Sequence, residues 1–134
     1  MGRIVIDASA LLALLFGEPG HEIVDEALDR GVMNAVNLAE VASRLFLLGA
    51  DEQTTRDRLS DLPLEIVPFT AEHAYRAGLL RVTTKAQGLS LGDRACLATA
   101  EELNLPALTS DQSWSRLKLK VPVKLIRKAA TSIA

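Results

Sequence analysis

Short runs of β-branched and aliphatic residues alternate along this chain with longer segments of helical periodicity, and this alternation restricts the possible folds most strongly. Each run is too short for a helix and ends at Gly, Pro or polar residues, which is typical of a buried strand. Strands separated by helices form βαβ units, whose mostly parallel sheet is covered by helices on both faces. We therefore predict an α/β fold, a three-layer sandwich with a short, mostly parallel sheet of four to five strands. The predicted strands are 3–7, 32–36, 64–69, 106–109 and 121–126.

Six segments between and beside these runs are predicted to be helical, and the one at 51–62 is polar. Asp7 stands immediately before the first segment and Asp51 at the start of the fourth, where an aspartate can cap a helix. The segment from Thr70 to Gly88 reads as one long helix. The predicted helices are 8–16, 21–31, 37–49, 51–62, 70–88 and 90–104.

With 134 residues, of which 49% are hydrophobic, the chain predicts a single domain over 1–134 that buries a sizeable core. No stretch approaches the roughly 18 apolar residues of a membrane span, and the apolar run after Asp7 lacks the cationic flank of a signal peptide. The single cysteine, Cys96, lies on an apolar helix face and is expected to be a small buried residue. We therefore expect a cytoplasmic protein that does not contact a membrane.

Two aspartates follow directly on predicted strands. Asp7 closes the first strand, and Asp111 closes the strand at 106–109. Each has an ordinary structural explanation, because Asp7 is placed to cap the next helix and Asp111 to cap a short turn. In parallel sheets, however, functional sites gather beyond the carboxyl ends of the strands, near the point where the strand order reverses.

Glu40 lies on a helix with a narrow polar strip, formed by Glu40, Ser43 and Arg44. Apolar residues cover the rest of the circumference, so we predict that this helix is largely buried. An ion pair between Glu40 and Arg44, four residues on, is the structural alternative for this acid.

Asp93 shares a helix face with Cys96, Leu97 and Ala100, the side expected to face the core. A helix-capping role suits Ser90 better than Asp93. Asp93 therefore has the weakest structural explanation of the four acids.

Two acids at strand ends and two on predicted buried faces can converge in one cleft of a parallel sheet. Like charges so gathered repel and need compensating cations at neutral pH. A set of carboxylate oxygens suits Mg²⁺ or Mn²⁺ rather than zinc, and such ions serve the hydrolysis of phosphodiesters. His21 and His73 stand in polar helical contexts and are predicted to be surface residues.

Charge is unevenly distributed along the chain. Residues 1–111 contain all 17 acidic residues and nine of the 15 basic ones, whereas 112–134 have a net charge of +6. This basic region can attract phosphates or an acidic partner. A solvated edge strand and a frayed terminus protected by lysines explain it equally well.

The four acids and their surroundings resemble the PIN-domain ribonuclease family, in particular the VapC-like toxins of toxin–antitoxin pairs. The resemblance extends over essentially the whole chain, and the ordered set of four motifs is more specific than any one of them. They are IVIDASAL with Asp7, NLAEV with Glu40, LSLGDRACLATA with Asp93 and ALTSD with Asp111.

The resemblance implies a PIN fold in which Asp7, Glu40, Asp93 and Asp111 hold Mg²⁺ or Mn²⁺ for endonucleolytic cleavage of RNA. It also implies that Ser9 and Thr109 are accessory hydroxyls that orient carboxylates or ligand waters, with local bonding to the backbone as the alternative. Trp114 matches an aromatic residue of the family and is expected to pack rather than to stack on bases. Gly92 and Arg94 depart from the small helix formers of relatives; Gly92 is expected to loosen the first helical turn, and Arg94 to pair with an acid or touch phosphate.

For partners, the resemblance implies an RNA substrate, a cognate VapB-like antitoxin that occludes the site, and a homodimer. The sequence does not identify the RNA target, and the antitoxin is a separate chain. The candidates for RNA contact are Arg94, Arg56 with its neighbour Arg58, and Lys118 and Lys120 in the basic region.

Three alternatives remain open from the residues. A phosphatase of the haloacid dehalogenase type has a second aspartate two residues after the first, where this chain has Ser9. A response-regulator receiver has an acidic pair near the first strand and a lysine at the end of a late strand. In this chain Asp7 has no acidic neighbour, and Thr109, Ser110 and Asp111 stand where the lysine would be expected. A PIN-like domain that binds RNA or protein without cleaving it keeps the fold and lacks the activity.

Overall fold

Five parallel strands form one sheet in the computed structural model, which describes residues 2–128. The spatial order is β3-β2-β1-β4-β5, and every neighbouring pair runs parallel. The chain therefore builds the sheet outward from β1 in one direction and then returns to the other side of β1 with β4. This confirms the predicted α/β class. The strands are Ile4–Ile6 (β1), Gly31–Asn34 (β2), Leu64–Val67 (β3), Ala107–Thr109 (β4) and Val123–Leu125 (β5).

Six α-helices connect the strands, and Asp7 and Asp51 cap α1 and α4 as predicted. The helix predicted from 70 to 88 ends at Thr83, and a 3₁₀ turn, Lys85–Gln87, follows it. The Thr84 hydroxyl and amide both bond to the Leu80 carbonyl, which closes the helix there. The helices are Ala8–Phe16 (α1), His21–Ala27 (α2), Ala35–Leu47 (α3), Glu52–Ser60 (α4), Ala71–Thr83 (α5) and Leu91–Leu103 (α6).

The sheet separates two hydrophobic cores, as expected for a three-layer fold. Alternate residues of a strand point to opposite faces, so Ile4 and Ile6 pack in one core and Val5 in the other. The first core includes residues of α1 and α2, and the second includes residues of α5 and α6. Cys96 is fully buried in the second core, as predicted.

His73 is buried, with 2% exposure, so the prediction of a surface histidine was wrong. The Thr70 amide lies 3.2 Å from its Nδ1, and its Nε2 lies 2.7 Å from a carboxylate oxygen of Glu102. His73 stands four residues before Ala77 on the buried face of α5, so helical spacing does place it inside. His21 remains partly exposed.

Helix α3 is far less buried than its composition predicts. Only Asn37 and Val41 are fully buried, and Phe46, Leu47 and Leu48 are 42%, 85% and 63% exposed. The helix packs on α1 and α6 with one face. Its outer face borders an open groove of about 850 Å³ that α4 closes on the other side. Val41 of α3 thus packs in the first core, with Leu38 and Leu45 against it, whereas the apolar residues at the C-terminal end of the helix form an exposed surface.

The remaining predictions concern the membrane and the C-terminal segment. Between residues 2 and 128, no helix is long and apolar enough to cross a bilayer. Lys124 is exposed on β5, which is an edge strand, as expected for a strand protected by lysine. The frayed terminus predicted beyond it falls largely on 129–134, outside the described residues.

Candidate active site

The four acids that the sequence singles out lie around one cleft at the carboxyl edge of the sheet. Asp7 follows β1 and Asp111 follows β4, and these adjacent strands flank the point where the strand order reverses. Glu40 reaches the cleft from α3, and Asp93 reaches it from the first turn of α6. The cleft has a volume of about 230 Å³, and Ser9 and Asn37 also line it.

Asp7 is the most enclosed of the four, with 4% exposure. Its carboxylate accepts hydrogen bonds from the Ser9 hydroxyl at 2.8 Å, the Ala10 amide at 2.9 Å and the Thr109 hydroxyl at 2.7 Å. The bond to Ala10 is the predicted helix cap. The hydroxyl bonds fix the carboxylate in the cleft, so capping and orientation occur together at this residue.

Ser9 and Thr109 also bind the backbone that follows β4. The Ser110 amide donates to Ser9 at 3.1 Å, and the Asp111 amide donates to Thr109 at 3.0 Å. Thr109 therefore bonds to the backbone of its own turn, whereas Ser9 bonds to a backbone segment 101 residues further along the chain. Both hydroxyls also donate to the Asp7 carboxylate. Through them the ends of β1 and β4 are joined.

Burial raises the pKa of Asp7 from its ordinary 3.8 to about 6, and the nearby charge of Asp93 adds to this effect. The hydrogen bonds from Ala10, Thr109 and Ser9 lower the pKa and offset part of the rise. Partial burial and the charge of Asp93 likewise raise the pKa of Glu40. No ion pair between residues 2 and 128 includes Asp7, Glu40, Asp93 or Asp111. The protein's own cations therefore do not neutralise this cleft by direct pairing.

Glu40 does not pair with Arg44, the structural alternative considered for it. It accepts a hydrogen bond from the Asn37 side-chain amide at 3.0 Å, and its carboxylate lies against Gly92 of α6. Asn37 was not identified from the sequence, although it stands three residues before Glu40 on the same helix face, a spacing that permits side-chain contact.

Asp93 is partly exposed and does not lie in the core, so the expected burial was wrong. It forms a reciprocal capping box with Ser90, in which the Ser90 amide donates to Asp93 and the Asp93 amide donates to Ser90, both at 3.1 Å. Ser90 is the cap residue, as expected, but Asp93 shares the role. Its place in the cleft, rather than its burial, supports a function.

Asp111 caps the 3₁₀ turn Gln112–Arg116, as its structural alternative predicted, and accepts from the Ser113 amide and hydroxyl at 3.0 and 2.7 Å. Trp114 on this turn is 1% exposed and packs in the second core, in agreement with a packing role.

The basic candidates lie away from the acids, apart from the neighbour of Asp93. Arg94 donates to the Ala77 carbonyl of α5 at 3.0 Å and does not pair with an acid. Arg56 pairs with Glu52 at 2.9 Å and borders the groove beside α4, not the cleft. Lys118 and Lys120 are exposed on the segment that leads to β5.

The side chains of the cleft fit a hard, hydrated cation better than a closed metal cage. All the charged groups that line it are carboxylates, and Asn37 contributes a buried side-chain oxygen that accepts no hydrogen bond from the described residues. Among residues 2–128, no three acidic, histidine or cysteine side chains are grouped closely enough to hold one ion in this conformation. Mg²⁺ commonly keeps several waters and needs only one or two carboxylates, so this open arrangement suits it.

Replacing Asp7 by asparagine should stabilise the protein at neutral pH. The carboxyl group of Asp7 has a higher pKa in the folded protein than in the unfolded chain, so its protonation favours the folded state. This contribution to the free energy of unfolding is fully present below about pH 4 and is lost as the pH rises through about 6. Asparagine resembles the protonated form and also caps helices well. Urea denaturation in EDTA should show a free energy of unfolding about 1–3 kcal/mol above wild type at pH 7.5, with the gain vanishing near pH 4.

Asp51 provides the matched control, because it caps α4 through the Thr54 amide and is exposed. The hydrogen bonds from Thr54 lower the pKa of Asp51, so its charged form favours folding. Asp51→Asn should therefore give no gain in stability at pH 7.5. If Asp7→Asn is no more stable than wild type there, the carboxylate of Asp7 does not oppose folding.

The comparisons with known proteins agree with this architecture. The profile of the PIN domain family matches residues 4–120. Among solved structures, a toxin–antitoxin complex from Klebsiella pneumoniae is 24% identical, with a TM-score of 0.73 over 94% of this chain and 99% of that one. VapBC-5 from Mycobacterium tuberculosis, of the VapBC family of toxin–antitoxin systems, is 26% identical, with a TM-score of 0.62 over 96% and 100%.

A third solved structure is VapC20 from Mycobacterium tuberculosis, described as a toxin that cleaves the sarcin–ricin loop. It is 16% identical, with a TM-score of 0.70 over 89% of this chain and 99% of that one. No curated protein matches the sequence significantly. Because the family profile covers most of the chain and the sheet has the topology described above, this protein belongs to the PIN domain family.

Proposed function

We propose that the protein is a metal-dependent endoribonuclease and the toxin of a toxin–antitoxin pair. The observation that carries this proposal is the cleft at the strand ends, where four carboxylates meet without a paired cation from the described residues. The similarity to a toxin described as cleaving the sarcin–ricin loop supports RNA as the substrate class. Membership of the PIN domain family disfavours the receiver and the phosphatase alternatives.

In this proposal Asp7, Glu40 and Asp93 form the acidic set that holds Mg²⁺ or Mn²⁺, with one or two carboxylates bound directly and the others through water, and Asp111 completes the set. The bound ion supplies a water of lowered pKa for attack on phosphorus and neutralises charge at the leaving oxygen. Ser9 and Thr109 fix the orientation of the Asp7 carboxylate through their hydroxyls. Among residues 2–128, those that line the cleft include no histidine, lysine or cysteine. The proton released by the attacking water would therefore pass to solvent or to one of the carboxylates.

Cleavage of a mixed cellular RNA pool by the purified protein, free of antitoxin, tests the proposal. With Mn²⁺ we expect discrete RNA fragments, and we expect none with EDTA or with Asp93→Asn, which keeps the shape of the side chain and removes its charge. Asp51→Asn, a helix-cap aspartate outside the cleft, should cleave as wild type does.

Absence of fragments from folded wild-type protein, across several RNA pools, would contradict the proposal and favour a PIN domain that binds without cleaving. Fragments that persist in EDTA would show cleavage that does not depend on a metal ion. The same preparation, examined by light scattering, reports whether the chain forms the homodimer that we also propose.

A VapB-like antitoxin is the proposed regulator, and the exposed apolar surface of the protein supports an obligate partner. Phe46, Leu47 and the following Leu48 are exposed at the C-terminal end of α3, while Tyr75 and Leu79 are 75% and 67% exposed on α5. Exposed apolar patches of this kind commonly mark protein contacts. Covering the α3 side would place a partner beside the cleft, because Glu40 lies on the same helix. Added antitoxin should therefore suppress the cleavage described above.

Of the basic candidates for RNA contact, Lys118 and Lys120 are the best placed, because both are exposed and neither forms an ion pair within residues 2–128. Arg56 already pairs with Glu52, and Arg94 with a carbonyl of α5. We propose that the two lysines contact the phosphate backbone.

The double variant Lys118→Ala/Lys120→Ala should weaken RNA binding and flatten its salt dependence. Each lost phosphate contact reduces the slope of log K against log salt by about 0.7 for a single strand. Binding is measured in an Asp93→Asn background to prevent cleavage, with Arg56→Ala as the comparison. An unchanged slope in the double variant would show that these lysines do not touch RNA.

A further inference from the structure

The carboxylate of Glu40 contacts two residues outside the set of four acids, Asn37 and Gly92. Asn37 lies one helical turn before Glu40 on α3, and Gly92 lies in the first turn of α6, directly before Asp93. The hydrogen bond from Asn37 and the close approach to Gly92 are independent observations about the same carboxylate.

Asn37 uses its side-chain amide to bridge the two helices that carry Glu40 and Asp93. The same nitrogen donates to Glu40 Oε1 at 3.0 Å and to the Gly92 carbonyl at 2.9 Å. Because both partners are oxygens that only accept hydrogen bonds, the atom that faces them must be the nitrogen of the amide and not its oxygen. Asn37 is 1% exposed, and its Oδ1 accepts no hydrogen bond from the described residues. A buried polar atom without a partner is rare in folded proteins and calls for an explanation beyond packing.

Gly92 provides space for the carboxylate. A methyl group built on Gly92 would overlap the carboxyl carbon and both oxygens of Glu40. The backbone does not require glycine here, because Gly92 is not among the glycines with positive φ. Glycine in the body of a helix is less favourable than alanine. The glycine therefore weakens α6 locally and leaves room for Glu40, which replaces the expectation that it simply loosens the first turn.

We infer that Asn37 and Gly92 are positioning residues that seat the Glu40 carboxylate beside Asp93 for cation binding. Glu40 is the end of a flexible side chain on an exposed part of α3, and the nearby charge of Asp93 repels it. The Asn37 amide holds the Glu40 carboxylate by a hydrogen bond. Because Gly92 has no side chain, the carboxylate can lie against the helical turn that carries Asp93. This inference rests on the proposed metal-dependent function and adds two residues to its site.

Gly92→Ala tests whether the position of the Glu40 carboxylate matters for cation binding, and it does not weaken the helix. The far end of Glu40 can move aside, so the variant should fold, with a melting temperature in EDTA at or above that of wild type. Isothermal titration with Mn²⁺, in the absence of RNA, should show an affinity about tenfold weaker than wild type, in the range found when groups that orient metal ligands are lost. If Gly92 had a purely structural role, the substitution would not weaken Mn²⁺ binding while leaving the melting temperature unchanged or raised.

Gly78→Ala is the matched control. Gly78 lies within α5, is exposed, and a methyl group there would meet nothing within 4 Å. The substitution should therefore raise helix stability in the same way and leave Mn²⁺ affinity unchanged.

Asn37→Leu removes the amide and keeps a side chain of similar size. If Asn37 acts through Glu40, this variant should also weaken Mn²⁺ binding about tenfold on its own, and by less than twofold when Glu40→Gln is already present. Asn37→Ser retains one hydroxyl donor and should recover part of the affinity.

The outcomes separate this inference from the function on which it rests. Wild-type protein that binds no Mn²⁺ would overturn the proposed function and the inference together. Wild-type protein that binds Mn²⁺, with Gly92→Ala and Asn37→Leu binding it equally well, would overturn the inference alone. Equal losses caused by Asn37→Leu with and without Glu40→Gln would also overturn it, because Asn37 would then act independently of Glu40.

Discussion

The buried carboxylate of Asp7 connects the fold of this protein to its cleft. It caps α1, and it receives hydroxyl hydrogen bonds from Ser9 and Thr109 that join the ends of β1 and β4. Those same bonds hold a negative charge in a place where burial and Asp93 both oppose it. A hydrophobic residue here would avoid the desolvation of a charge, but it would remove the cap and the carboxylate that faces the cleft. The structure thus retains an electrostatic cost at the point where its proposed chemistry occurs.

The topology explains why the acids meet although they are far apart in sequence. Strands β1 and β4 are neighbours, and the chain leaves them in opposite directions across the sheet, which opens a crevice beyond their carboxyl ends. Asp7 and Asp111 border that crevice from the strand ends, while α3 and α6 bring Glu40 and Asp93 over it. Each acid also has a local task, as a cap or as a hydrogen-bond acceptor. Local structure and site therefore depend on the same side chains.

Much of this arrangement follows from the sequence, because strand composition, helix periodicity and capping residues act locally. The five strands, the caps at Asp7 and Asp51 and the meeting of four acids in one cleft were all predicted. The burial of His73 was not predicted because the residues around it in sequence are polar, although helical spacing places it on the buried face of α5. The exposure of α3 was missed because composition does not reveal which apolar face lacks a partner within the chain.

The roles of Asn37 and Gly92 could not be predicted for a different reason. Both depend on how closely α3 approaches α6, and this distance is set by tertiary packing rather than by any local pattern. The same holds for Asp93, whose helix periodicity pointed to the core while its capping box with Ser90 holds it at the edge of the cleft. Contacts of this kind between two helices thus become visible only in the structure.

We propose that these four carboxylates together form a cation site. Crystals of the protein grown with Mn²⁺, with diffraction recorded for anomalous scattering, test it most directly. We expect the strongest anomalous peak inside the cleft, about 2 Å from carboxylate oxygens that include those of Asp7 or Asp93, with waters as the remaining ligands. An empty cleft at Mn²⁺ concentrations that support RNA cleavage, or an ion bound only elsewhere on the protein, would contradict it.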